Sequence, residues 1–156
     1  MANYARGFSL IEVVTIIGLI LLLSGLGLIV SMETYRGTGF RTERDTLVAL
    51  LQRARAESMS NICLGTCTDG KQHGVAVRPA GNPNKYILFQ GATYATRDTA
   101  VDSAFDASAT TALTGSTEVV FAQLTGKTTG ATFTITGSGH TSVITVGTEG
   151  QITWTN

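Results

Sequence analysis

The chain has 156 residues, with 11 basic and 11 acidic side chains. With zero formal charge, nothing in the balance calls for a polyanionic partner. Two histidines, two cysteines and no phosphate-binding loop, Ser/His/Asp spacing or paired carboxylates argue against an enzyme, a cofactor or a metal centre.

The charged residues, only 14 % of the sequence, are nearly absent from one stretch at the start. Phe8 to Val30 is an apolar run of 23 residues whose only charge is Glu12. At about 1.5 Å per residue, a helix of that length reaches roughly 34 Å, enough to span a bilayer. A carboxylate in such a run costs on the order of 3 kcal/mol near the centre and less near an end. Glu12 lies about one turn inside the start, so its partner becomes the question. A cleaved secretory signal fits poorly, because its apolar core is about 7–15 residues and ends in small ones. This run ends in Leu28-Ile29-Val30. Arg6 precedes the run, while Arg36, Arg41 and Arg44 follow it, so Lys/Arg counting favours a cytoplasmic C-terminal side. Gly18, Gly25 and Gly27 interrupt the run, either as a yielding segment or as glycines tolerated where helices approach closely.

The segment Arg6-Gly7/Phe8-Ser9-Leu10-Ile11-Glu12 resembles the type IV prepilin signature shared by pilins and type II secretion pseudopilins. The resemblance implies cleavage between Gly7 and Phe8 by a prepilin peptidase, N-methylation of Phe8 and assembly with other pilin subunits at an inner-membrane platform. It implies a single-pass protein of the bacterial inner membrane with its C-terminal domain outside, later part of a filament. Because that peptidase works on the cytoplasmic face, the motif overrides the Lys/Arg count. Glu12 is then an assembly residue, meeting the α-amine of a neighbour's Phe8. Two charges about 4 Å apart attract by roughly 4 kcal/mol at an effective dielectric near 20, before desolvation. The amine exists only after cleavage, which couples processing to assembly. The run lacks the Pro common in major pilins, pointing to a minor pilin or pseudopilin. The expected organisation is leader 1–7, transmembrane and filament-core helix 8–30, amphipathic continuation 31–61 and β domain 62–156.

Beyond the anchor, Gly37 and Gly39 predict a break or bend. Thr42 to Asn61 then reads as a helix with Leu47, Leu51, Ala54 and Ser58 on one face, which needs a sheet to cover it. Arg44, Arg53, Arg55 and Glu57 fall elsewhere; Glu43 and Asp45 interleave with the bases on a solvated or subunit-facing surface. Cys63 and Cys67 flank Leu64-Gly65-Thr66. Cβ atoms four apart on a helix are about 6 Å apart and a disulfide needs roughly 3.8 Å, so a bond requires the helix to have ended. An exported chain favours that bond. A zinc site with His73 needs distant His140 as its fourth ligand and is disfavoured.

Past Gly70 the pattern turns strand-like. Short strands are expected at Gly74–Arg78 and Tyr86–Gln90 about a Pro79–Pro83 turn. Ala92–Ser116 reads as a long loop or irregular strand, and Glu118–Leu124 as a strand. Ala131–Thr136, Thr141–Val146 and Gln151–Thr155 alternate apolar and polar and form an antiparallel meander.

This half is similar to the GspH/FimT subgroup of pseudopilins. The resemblance rests on Ala54-Arg55-Ala56-Glu57, Val120-Phe121, Gly126, the Thr132–Thr136 and Val143–Val146 strands, and Gly150-Gln151-Ile152. The fold class expected is α+β and pilin-like: a long N-terminal transmembrane helix packed on an antiparallel β-sheet domain. Three functions compete. The first is a structural minor pilin or pseudopilin. The second is a DNA-binding minor pilin for natural transformation, for which bases on the early loops (Lys71, Arg78, Lys85, Arg97) are the candidates. From Val101 onward, however, Lys127 stands alone against Asp102, Asp106, Glu118 and Glu149. The third is a plain membrane-anchored periplasmic protein.

Overall fold

The computed structural model describes residues 9–155 and, within them, every side chain except those of residues 26–37. One helix, α1, spans Leu10–Met59. Two compact units divide between Gly37 and Thr38. The helix carries no break at Gly37 and Gly39. A glycine in a helix interior costs up to about 1 kcal/mol relative to Ala but removes no hydrogen bond, so the ladder runs through.

In the second unit, α1 precedes eight strands: β1 (His73–Val77), β2 (Lys85–Gln90), β3 (Ser103–Asp106), β4 (Ala112–Gly115), β5 (Glu118–Phe121), β6 (Ala131–Gly137), β7 (His140–Val146) and β8 (Ile152–Thr155). They form two four-stranded antiparallel sheets. The first has the order β3-β2-β1-β5 and the second β4-β6-β7-β8. The C-terminal meander is as expected. Strands β3 and β4 lie inside the stretch read as a long loop or irregular strand, around Phe105 and Leu113.

The predicted apolar face of the helix fills the core. Leu47, Leu51 and Ala54 are fully buried, with Phe121, Phe133, Ile135 and Ile144 from both sheets in the same cluster. The two sheets differ on their other faces. In the first sheet, β1 is buried along its whole length and β2 at all but one residue. A second apolar cluster, Ala76, Ile87 and Phe89, lies there beneath Tyr94 and Val120. Loop 91–102 covers it, with the Phe89 and Tyr94 rings 5.8 Å apart edge to face. In the second sheet, β6 alternates buried Phe133 and Ile135 with outward Thr132, Thr134 and Thr136, one face packed and one wet.

The chain changes sheet at Gly115. Its φ of 110° suits only glycine, and an added Cβ would strike the Thr132 carbonyl oxygen. Strand β4 ends there in the second sheet, and β5 begins three residues later in the first.

Candidate functional site

The first candidate is the start of α1. Gly7 and Phe8 lie outside the described residues. Ser9 accepts the Glu12 and Val13 amides at 3.0 and 3.2 Å and so begins the helix. Glu12 sits in the first turn and is exposed, and among the described residues no cation pairs with it. Every large apolar side chain from Leu10 to Leu23 is also exposed, from 82 % at Leu10 to 43 % at Val13. These positions cover all sides of the helix, a pattern that belongs in an apolar surrounding rather than on a half-buried face. The hydroxyls of Thr15 and Ser24 are satisfied by their own helix. Thr15 donates to the Ile11 and Glu12 carbonyls, and Ser24 to that of Ile20 at 2.7 Å. Gly18 and Gly25 are helical, and a Cβ at either would meet nothing within 4 Å. Among the described residues no helix is long and apolar enough to cross a membrane.

The second candidate is the loop after the helix. With α1 ended at Met59, Cys63 and Cys67 come together, their Cα atoms 5.9 Å apart, and form a disulfide. The buried amide of Gln90, the last residue of β2, clips this loop to the sheet. Gln90 Oε1 accepts the Leu64 N–H at 2.7 Å and Gln90 Nε2 donates to the Leu64 carbonyl at 3.1 Å. The disulfide takes up both sulfurs, so they are not free to join His73 and His140 around a metal. His140 instead lies beside Phe40, ring centroids 5.7 Å apart.

His73 is fully buried. Its N–H donates to Ser58 Oγ at 2.9 Å, while its ring nitrogens have no hydrogen-bond partner. Burial lowers its pKa from the usual 6.5, opposed by Glu57, whose carboxylate lies 3.9 Å away.

A buried polar knot joins the helix to the first sheet and to the β3–β4 connection, and the sequence reading missed it. Glu43, expected on a solvated or subunit-facing surface, is buried within the chain. It accepts from Arg78 Nη2 at 3.2 Å, from the Ser108 amide at 2.9 Å and from the Tyr86 hydroxyl. Arg78 also donates to the carbonyls of Ser108 and Thr111, at 2.7 and 2.8 Å. Burial first, then the bond to Glu43, pushes the Tyr86 phenol above its usual range. The signal was available in the spacing, because Glu43 lies four residues before Leu47 on the same apolar stripe.

Three of the residues that carried the subgroup resemblance, Arg55, Gly126 and Gly150, converge. Arg55 Nη2 donates to the Glu149 carbonyl at 3.3 Å. A Cβ built on Gly150 would strike the Gly126 carbonyl, and one built on Gly126 would approach Met59 Cγ to 2.8 Å. Both glycines have positive φ. Two glycine turns therefore close against the end of the helix, with Arg55 across them. Of the early-loop bases offered for DNA, Arg78 pairs with Glu43, Lys85 with Asp106 and Arg97 with Asp102; further on, Lys127 pairs with Glu149. Lys71 is exposed.

No family model and no curated protein matches the chain. Two crystal structures of the type IV minor pilin FimU of Pseudomonas aeruginosa strain PAO1 do. The first aligns at TM-score 0.55 and 19 % identity over 74 % of this chain and 92 % of that one. The second aligns at TM-score 0.56 and 19 % identity over 75 % and 88 %. At that identity the likeness concerns the fold, which is pilin-like.

Proposed function

We propose that this chain is a minor pilin or pseudopilin, a structural subunit of a type IV pilus or type II secretion pseudopilus. The observation that carries the reading is a pilin-like fold whose helix begins in an all-round apolar segment with one carboxylate, Glu12, in its first turn, unpaired among the described residues. In this reading Met1–Gly7 is a leader removed by prepilin peptidase, and Phe8 becomes the methylated N-terminus. Residues 8–30 hold the protein in the inner membrane and then pack in the filament core; residues 31–61 continue the helix. The β domain from residue 62 lies outside, stapled by Cys63–Cys67. Glu12 meets the α-amine of a neighbouring subunit and sets axial register. The paired bases of the β domain favour this structural role over DNA capture.

The test is the intact mass of the protein from membranes, with and without the peptidase. Loss of Met1–Gly7 plus one methyl group, dependent on the peptidase, is the expected result. An unprocessed chain in a strain with a working peptidase sinks the reading and leaves an ordinary membrane anchor.

A further inference from the structure

The edges of the two sheets are built differently. The first sheet ends in β3, which carries Asp106 against Lys85, and in β5, which carries Glu118. Charges on an edge discourage another strand from pairing there. The second sheet ends in β4 (Ala-Leu-Thr-Gly) and β8 (Ile-Thr-Trp-Thr), with no charge and no proline on either.

The free backbone groups of both edges can be read from the ladder. Gly147 N–H donates to the Gln151 carbonyl at 2.9 Å. Alternate residues of an antiparallel strand face the same neighbour, so Thr153 and Thr155 turn toward β7, and Ile152 and Trp154 turn their N–H and C=O groups outward. On the other edge, Ser116 N–H donates to the Thr132 carbonyl at 2.9 Å. Thr114 and Ala112 therefore face β6, and Leu113 and Gly115 face outward.

We infer that β8 of one copy pairs antiparallel with β4 of a second copy, continuing the second sheet from subunit to subunit. The occupant follows from three matches. Each edge offers two outward residues in a four-residue strand, so Trp154 meets Leu113 and Ile152 meets Gly115 in one register. In that register the side chains agree: Trp154 and Leu113 both lie on the core side, paired internally with Ile144 and Ile135. Trp154, 45 % exposed, then covers the partly buried Leu113 of the neighbour. Thr153 and Thr114 meet on the wet face. Finally, the sheet holds an even number of alternating strands, so β8 runs opposite to β4. Two copies pointing the same way therefore meet antiparallel with no inversion. A head-to-tail contact of this kind repeats along an open helical assembly, whereas β8 against β8 closes a two-fold dimer with copies reversed. The shared polarity of the copies rests on the filament reading; the match of edges does not.

The experiment uses the full-length chain in detergent. Chains carrying Thr153→Cys and Thr114→Cys are mixed under mild oxidation. These positions form a non-hydrogen-bonded pair in the proposed register, where Cβ atoms come closest. At least tenfold more cross-linked dimer is expected than from Thr153→Cys mixed with Thr134→Cys, whose cysteine lies on an interior strand. A yield no higher than that control overturns the pairing. Thr153→Cys homodimers in excess overturn the head-to-tail arrangement and, with it, the polarity taken from the filament reading. Absence of prepilin cleavage would remove the filament reading while leaving the cross-link result unaffected. Hydrogen exchange of the unsubstituted chain supplies a second readout. Exchange at the Ile152, Trp154, Leu113 and Gly115 amides is expected to slow as concentration rises, and concentration-independent exchange there overturns the proposal.

Discussion

The two sheets share one core but meet solvent in opposite ways. The first is covered on both faces, by the helix and core on one side and loop 91–102 on the other, so its central strands are nearly continuous apolar runs. The second is covered on one face and alternates. The difference shows that a strand's sequence records how many of its faces are covered, independently of which elements cover them.

The comparison is broken most severely by removing the second cluster of the first sheet. Phe89→Ala is expected to destabilise by about 3–5 kcal/mol in a denaturant titration, while Thr134→Ala, on the wet face of the second sheet, stays within about 0.5 kcal/mol. Equal losses would mean that loop 91–102 does not bury the first sheet. Next comes the polar knot. Glu43→Gln leaves Arg78 without its carboxylate, at an expected cost of about 3 kcal/mol, and Glu43→Gln with Arg78→Met costs less than the two single changes summed. Additive losses would separate the two residues. Replacing Cys63 and Cys67 by Ser removes a short loop closure and is expected to cost about 2 kcal/mol. Hydrogen exchange should then quicken first in loop 91–102, where Gly65 lies against Val101 and the Asp98 amide bonds the Gln90 carbonyl. Faster exchange beginning in β6–β8 would contradict this.

The smallest effect is on pH. The folded state holds His73 below its unfolded pKa of 6.5, so the unfolded chain binds more protons in that window. Stability contributed by neutral His73 is complete above pH 6.5 and falls as pH drops toward the lowered folded value. His73→Asn should flatten that slope. A slope unchanged by the substitution would assign the pH dependence to other groups.

Much of this was legible in the sequence, for physical reasons. The helix face of Leu47, Leu51, Ala54 and Ser58 was visible because all four share a 3.6-residue period and one burial. The meander was visible because Thr132 to Thr136 alternates and glycine turns bound each strand. Strands β3 and β4 were not, because each is a four-residue edge with one large apolar side chain, too short to establish a period. Glu43 is misplaced by a reading that equates charge with exposure. Its burial depends on Arg78, Tyr86 and Ser108, which lie 35 to 65 residues away. Gln90 was likewise invisible, since its clip on Leu64 exists only once the disulfide loop folds back. The helix-start motif was the clearest segment in the sequence, but Gly7 and Phe8 lie outside the described residues.

The change of sheet at Gly115 also divides the molecule by how far apart in sequence its contacts lie. Strands β6 to β8 pair through turns of a few residues. The first sheet closes only when β5 reaches β1, aligning Val75 with Val119, a sequence separation of 44. Local pairings lose less chain entropy on forming than distant ones, so the C-terminal meander should nucleate first and the β1–β5 pairing should set the folding rate. Gly115 then acts as the joint about which the early half swings to receive the late one. A residue with a side chain there should slow refolding more than it speeds unfolding.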